Sequence, residues 1–335
     1  MEGLASELKN YKHVFVVCDR NVEAFARRVA GMPAQGEGGR ARLLAITADE
    51  EHKTMDSVMQ ICRWLTAEGA DRDALVLAVG GGITTDMAGF AACIYKRGVK
   101  YANVPTTLLS MVDAGIGGKT GVNLDGLKNL LGIIRQPEFT AIFPEALQTL
   151  PERELRSGLA EMLKTFIIKN PRRAYERTVA LFSQGRPLES AAELSELIQL
   201  AAGIKQDIVE KDEFETGIRR KLNLGHSWGH AIEWWQKKSP KAGQACTHGE
   251  AVAIGMVQAA IYAEKLGLNE EDGLAERICK DLAACGLPTE LPCPVGELLP
   301  AMAKDKKAEN GQIRLVLPAK IGKVLVKKCA LSFAE

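Results

Sequence analysis

The chain has 335 residues, 46% of them hydrophobic, with 43 basic against 42 acidic side chains. That length suits two domains, each with its own core, and the even charge balance argues against nucleic acid or an acidic membrane as partner. Eight cysteines are scattered without a C-x-x-C pair; no basic-then-apolar leader opens the sequence and no apolar run reaches the roughly 18 residues of a membrane span, a pattern that predicts reduced thiols in a cytoplasm.

In chain order, apolar runs bounded by polar or glycine punctuation fall at HVFVVCD (13–19), ARLLAIT (41–47), ALVLAVGGG (74–82) and YANVPTT (101–107), with helical stretches such as TMDSVMQICRWLTAEG (54–69) between them. Strand, helix and strand in alternation predict a mostly parallel sheet. After about residue 150 the pattern turns helical, with 3.6-residue periodicity at 189–213 and 249–267. GQIRLVLPAKIGKVLVKK (311–328) alternates like a short hairpin and reads as a small appendage. The predicted organisation is therefore an α/β domain over 1–150 and an α-helical domain over 151–335.

Four stretches carry candidate chemistry. LAVGGGITTDMAGF (77–90) puts three glycines where a strand gives way to a helix, a geometry that accepts a phosphate on backbone N–H groups or simply permits tight packing. Asp19 and Asn21, just past the first strand, either reach a ribose hydroxyl or form a turn. AGIGGKTGVN (114–123) resembles a P-loop, but Asp113 stands where the first glycine of that motif belongs. What is left is a flexible loop with Lys119, followed by Lys128 and Asn129, suited to a phosphate or carboxylate, although a lysine beside glycines is usually solvated.

ELRSGLAEMLKTF (154–166) is a helix in which Glu161 and Lys164 share a face among small and apolar neighbours. A buried carboxylate there must pair with Lys164 or bind a cation. KQDIVEKDEFETGIRRKLNLGHSWGHAIE (205–233) is dense in polar residues at helical offsets: Lys205, then Glu215, Arg219, Asn223, His226 and His230 at steps of four, four, three and four. Such a stripe is either a solvated face or a site; histidine and asparagine beside glycine and tryptophan suit a solvated face poorly. With His248 added, residue chemistry alone proposes a zinc site of His226, His230 and His248, or of two histidines and one carboxylate, and spacing does not choose between them.

Taken together and in this order, GGGITTD, VPTTLLSMVDAGIGGKTGVN, KNLLG, SGLAEMLK, RRKLNLGHSWGHAIE and HGEAVAIGM resemble the 3-dehydroquinate synthases over roughly residues 14–327. The resemblance implies an N-terminal NAD-binding, Rossmann-like α/β domain and an α-helical, metal-binding C-terminal domain in a cytoplasmic homodimer. It implies Zn²⁺ or Co²⁺ on Glu161, His226 and His248, which moves Glu161 from ion-pair partner to ligand and places His230 on the substrate side. NAD contacts are implied for Asp19, Asn21, Glu50, Lys53, Gly81, Gly82, Asp86, Thr106, Thr107, Asp113, Lys119, Lys128 and Thr149.

For the substrate, a sugar phosphate, the same resemblance implies Arg97, Lys119, Lys128, Asn129, Lys164, Lys205, Arg219, Asn223, His230 and either Lys306 or Lys307. Among these, Lys119, Lys164, Arg219, Asn223 and His230, with Glu215 in support, carry the catalytic roles. The implied reaction takes a hydride from a substrate carbinol onto NAD, eliminates phosphate, returns the hydride and closes a carbocycle. Three departures stand out. Thr85 replaces a glycine usual in the family; EWWQKKSPKAGQACT (233–247) is about five residues longer than the family pattern; and a leading strand is expected to be shortened or absent.

Overall fold

A computed structural model describes residues 1–32, 41–239, 245–303, 308–309 and 312–330. The chain divides into two compact units, Met1–Leu150 and Pro151–Glu335. The first contains α1 (Glu2–Leu8), β1 (Val14–Asp19), α2 (Glu23–Ala30), β2 (Arg42–Ile46), α3 (Met55–Ala67), β3 (Leu75–Gly80), α4 (Gly82–Ile94), β4 (Lys100–Pro105), β5 (Lys119–Leu124) and β6 (Leu127–Ile134). The four strands predicted from apolar runs form one parallel sheet in the order β2-β1-β3-β4.

Alternation along those strands builds two cores. Phe15, Val17, Val76, Ala78 and Tyr101 point to one face and meet Val58, Ile61 and Leu65 of α3 and Met87 and Phe90 of α4. Val14, Val16, Cys18, Leu75, Leu77 and Val79 point to the other and meet Leu4 and Leu8 of α1 and Val29 of α2. Because both faces are covered, the strands read as unbroken apolar runs. Each buried Val, Leu, Ile, Phe or Met among them contributes roughly 1.5–3 kcal/mol.

The second unit contains α5 (Glu152–Ile168), α6 (Ala174–Ser183), α7 (Ala191–Lys211), α8 (His226–Lys238), α9 (His248–Lys265), α10 (Leu274–Ala284), α11 (Val295–Ala303), β7 (Ala308–Glu309), β8 (Gln312–Lys320) and β9 (Lys323–Ala330). Helix α5 is buried from Ser157 to Ile168, so it runs through the core and not over it. The C-terminal hairpin is not an appendage. Ile313, Leu315, Leu317 and Ala319 of β8 are buried, and Ala319 and Ile167 accept backbone hydrogen bonds from Glu270 and Gly322. Its alternating pattern correctly predicted strands, but half of that pattern faces helices that a local reading of the hairpin does not see.

Two further expectations are corrected. Lys119, Lys128 and Asn129 lie on the antiparallel pair β5–β6, not on a flexible loop; Gly121 and Gly132 face each other there without side chains to separate the strands. The polar stripe from Glu215 to His230 is not one helix either. After α7 ends, Asp212 accepts hydrogen bonds from the backbone N–H groups of Thr216, Gly217 and Arg219, at 2.8, 2.7 and 2.9 Å. A 3-10 turn over Ile218–Asn223 then leads to Gly225, and α8 begins at His226. A short acidic side chain at a helix end captures local N–H groups and stops the periodicity.

Candidate active site

In the second unit, two close backbone approaches bring the candidate ligands together. A Cβ on Gly249 would lie 2.0 Å from the Ser157 carbonyl oxygen, so the start of α9 rests directly on α5 one turn before Glu161. Likewise, a Cβ on Gly255 would lie 2.0 Å from the carbonyl oxygen of Gly225, whose own φ of +77° suits glycine. Thus α8 and α9 begin beside α5, and the first residues of those two helices are His226 and His248.

The start of α9 is held by a capping box. Thr247 Oγ1 accepts from the Glu250 N–H at 3.3 Å and Glu250 accepts from the Thr247 N–H at 2.7 Å. Arg153 of α5 donates to both Glu250 oxygens, at 2.9 and 2.6 Å. The T-x-x-E signature was present in THGE, and neither Arg153 nor Glu250 stood out without it.

Glu161 is fully buried. Its Oε1 lies 3.4 Å from His248 Nε2 and 3.7 Å from His226 Nε2, and Lys164 Nζ contacts its Oε2. Yet neither carboxylate oxygen makes a well-directed hydrogen bond. One donor atom from each of Glu161, His226 and His248 lies within 4.8 Å of the others. The far nitrogens of both rings have acceptors: Leu224 O at 3.1 Å from His226 Nδ1, and Glu233 Oε1 at 3.3 Å from His248 Nδ1. That pairing turns both Nε2 atoms toward the Glu161 carboxylate, an arrangement that a divalent cation takes. The carboxylate and the two imidazoles therefore fit such an ion.

Both early readings of Glu161 hold in part, since it pairs with Lys164 and also faces two imidazoles. The set of three histidines does not. His230 is exposed, its ring 5.3 Å from that of His226 and 6.4 Å from that of His248, outside the ligand cluster. Burial alone would raise the Glu161 pKa, but the Lys164 ammonium and then His248 outweigh it and hold the group ionised. Burial would likewise lower His248, and the carboxylates of Glu161 and Glu233 reverse that, raising it to about 10.

In the same unit Lys164, Lys205 and Arg219 are buried, and Lys164 touches Glu161. Arg219 donates to the carbonyl oxygen of Glu213. Asn223 donates to the Glu215 carboxylate and, at 3.2 Å, to the carbonyl oxygen of Arg220. Asp212, which holds the backbone of this turn, has its carboxyl lowered to about 2: burial opposes ionisation, and the N–H groups of Arg219, Gly217 and Thr216 more than offset it. Asp212 and Glu233 were both missed in the sequence. An acidic residue just past a helix signals a capture like that of Asp212, and Glu233 stands two turns after His226 on the same face. Lys306 and Lys307 lie outside the described residues, as do residues 240–244 of the longer 233–247 connection.

The first unit gathers a second cluster. Buried Lys53 donates to Asp86 Oδ2 at 2.5 Å and to Asn129 Oδ1 at 2.6 Å. The Asn129 N–H donates to Asn123 Oδ1, Asn123 donates to Glu50 at 3.0 Å, and Lys128 lies 3.6 Å from Glu50. Gly81 is the N-cap of α4, and a Cβ there would meet Thr107 at 3.0 Å; one on Gly82 would meet Ala114 at 2.8 Å. Close packing is therefore one use of these glycines, and the free N–H groups of the α4 N-terminus are the other. Thr106 N–H donates to Gly80 O, and Thr85, buried, donates back to Gly82 O. Asp19 accepts from the Asn21 N–H at 2.9 Å, a turn-forming role. Asp113 lies in a π-helical turn over Ser110–Ala114, and Thr149 ends a 3-10 turn. Arg97 is exposed, with φ +71°, directly after Lys96 with φ +49°.

Comparison with known proteins agrees with this arrangement. A family model described as 3-dehydroquinate synthase N-terminal matches residues 43–157, and one described as 3-dehydroquinate synthase C-terminal matches 158–308. A 3-dehydroquinate synthase of Acidithiobacillus ferrooxidans is 40% identical, the match covering 93% of this chain and 84% of that protein. One from a Synechococcus species is 42% identical over 84% of this chain and 76% of that protein. Among solved structures, a 2-epi-5-epi-valiolone synthase of Streptomyces hygroscopicus with NAD⁺ and Zn²⁺ bound has a TM-score of 0.83 and 30% identity, covering 99% of this chain and 90% of that one. Matched along both units by the two family models and by relatives of this similarity, the chain belongs to the 3-dehydroquinate synthase family.

Proposed function

We propose that this chain is a 3-dehydroquinate synthase, converting 3-deoxy-D-arabino-heptulosonate 7-phosphate to 3-dehydroquinate and phosphate. The convergence of Glu161, His226 and His248 in a chain of this family carries the reading. NAD and a divalent metal, Zn²⁺ or Co²⁺, belong to the proposal, supported by the NAD⁺ and Zn²⁺ of the valiolone synthase structure. When bound, the ion supplies a Lewis acid with open positions for substrate hydroxyls, and the nicotinamide supplies a reversible hydride acceptor.

The chain's own residues supply charge, position and protons. Glu161 and the two imidazoles would hold the ion while leaving it net positive. Asp19, Asn21, Glu50, Lys53, Gly81, Gly82, Asp86, Thr106, Thr107, Asp113 and Thr149 are assigned to NAD. Arg97, Lys119, Lys128, Asn129, Lys164, Lys205, Arg219 and Asn223 are assigned to the anionic substrate, whose phosphate and carboxylate need compensation once out of water. Asp212 and Glu215 hold Arg219 and Asn223 in place through the hydrogen bonds described, and His230 is assigned to proton relay.

A homodimer and a cytoplasmic location are part of the reading. The dimer is supported by the exposed Leu124, Leu127, Leu130 and Ile133 on β5–β6, which a second copy would cover, and the location by eight unpaired thiols. The rival is a sister cyclase such as the valiolone synthase, whose identity of 30% falls below the 40% and 42% of relatives named 3-dehydroquinate synthase. Incubating the protein with the heptulosonate phosphate, catalytic NAD and Zn²⁺ or Co²⁺ should release inorganic phosphate and dehydroquinate in equal amounts, without NADH accumulating. Folded, metal-loaded protein that releases no phosphate would refute the assignment, and steady NADH formation from glycerol would point to a polyol dehydrogenase.

A further inference from the structure

The two histidines of the cluster differ in what stands behind them. The Nδ1 atom of His226 meets a neutral backbone carbonyl, Leu224 O, at 3.1 Å. In contrast, His248 Nδ1 meets a carboxylate, Glu233 Oε1, at 3.3 Å. Glu233 sits on α8, two turns beyond His226, and reaches across to the first residue of α9. Its side chain is only 11% exposed. Keeping a carboxylate that far from water is costly unless it interacts with a partner that rewards the charge. Resting on the metal-centre reading above, we infer that Glu233 is a positioning residue for the metal: its carboxylate accepts the Nδ1 proton of His248, turns Nε2 toward Glu161, and makes that imidazole the stronger of the two nitrogen donors.

The physical argument is geometric and electrostatic. Imidazole offers its lone pair at Nε2 only when the ring proton is on Nδ1, and an acceptor at Nδ1 selects that tautomer and fixes the ring plane. A negatively charged acceptor adds electron density to the ring, which a neutral carbonyl does less well. Glu233 also joins α8 to α9, so one side chain couples the two helices whose first residues supply the imidazoles.

The test compares Zn²⁺ affinity of purified wild type, Glu233→Ala, Glu233→Gln and His226→Ala by competition with a chromophoric chelator, and the visible spectrum of each Co²⁺-loaded protein. Outer-sphere carboxylates of this kind typically account for 10- to 100-fold in affinity. Glu233→Ala should therefore bind Zn²⁺ about 10- to 100-fold more weakly. Glu233→Gln, which keeps an acceptor and loses the charge, should fall between it and wild type, with altered Co²⁺ bands. If Glu233→Ala does not fold, Glu233→Gln decides alone. A Glu233→Gln affinity within about twofold of wild type, with His226→Ala still losing the ion, overturns the inference and leaves the metal centre standing. Should wild type bind no ion, or His226→Ala bind as tightly as wild type, the metal centre itself fails and this inference with it.

Discussion

The polar clusters of the two units solve the burial of charge in opposite ways. In the first unit Lys53 is satisfied from inside the protein, with Asp86 and Asn129 both within hydrogen-bond distance of its ammonium. In the second unit, Glu161 is more deeply buried and touches Lys164, yet neither of its oxygens makes a well-directed hydrogen bond and two imidazole nitrogens face it. A closed network explains itself as structure, whereas a buried carboxylate with two imidazole nitrogens turned toward it is a donor set that fits a divalent cation. That is why geometry alone argues for the metal, while the NAD assignments in the first unit lean on family membership.

The largest expected effect separates ligand from neighbour. His226→Ala should abolish metal binding and turnover together, whereas His230→Ala should keep the metal and lose roughly a hundredfold to ten-thousandfold in rate, the usual range for a general acid or base. Metal content and phosphate release of both purified proteins measure this; metal loss in the second variant and not the first would reverse the assignment.

Next in size is the pH dependence of the ion. His248 is held protonated up to about 10 in the metal-free protein by Glu161 and Glu233, against the opposing pull of burial. An entering cation must displace that proton, so Zn²⁺ affinity should rise about tenfold per pH unit between ordinary imidazole values and pH 10. The sign is opposite for the metal-free fold. A raised histidine contributes stability that is complete below about 6.5 and lost as pH climbs through 10. Titration calorimetry and urea unfolding across that window check the two slopes, and a pH-independent affinity would contradict them.

Lys164→Met sharpens the comparison directly. Removing one partner of a buried pair costs about 3–5 kcal/mol, so the metal-free variant should lose that much on urea unfolding. With saturating Zn²⁺ the loss should shrink, because the ion supplies the missing positive charge. Lys53→Met serves as the contrast. Leaving Asp86 and Asn129 without their donor should cost about 1–3 kcal/mol, the same with and without Zn²⁺; a metal-dependent loss there would erase the distinction between the clusters. Smallest is Thr247→Ala, which removes the cap of α9 and should cost about 1 kcal/mol, with a matching slight weakening of metal binding at the adjacent His248.

Much of the fold was legible because its signals are local. Apolar runs named β1 to β4, 3.6-residue periodicity named α7 and α9, and the ordered motifs pointed to the family. The misreadings share a cause. A stripe at helical offsets was read from Glu215 to His230 across a 3-10 turn and Gly225, which separate it from α8, and the C-terminal strands were taken as peripheral because the helices that bury them lie far away in sequence.

The sequence alone determined which segments are strands and helices and which residue types are present to bind an ion or a phosphate, since period and composition are properties of short stretches. Only the tertiary structure decided which of them converge. Glu161, His226 and His248 meet because Gly249 and Gly255 let α9 press backbone to backbone on Ser157 and Gly225, while His230, one turn from a ligand, is left outside. Contacts at such separations depend on how whole helices pack, and spacing within a single segment does not record that.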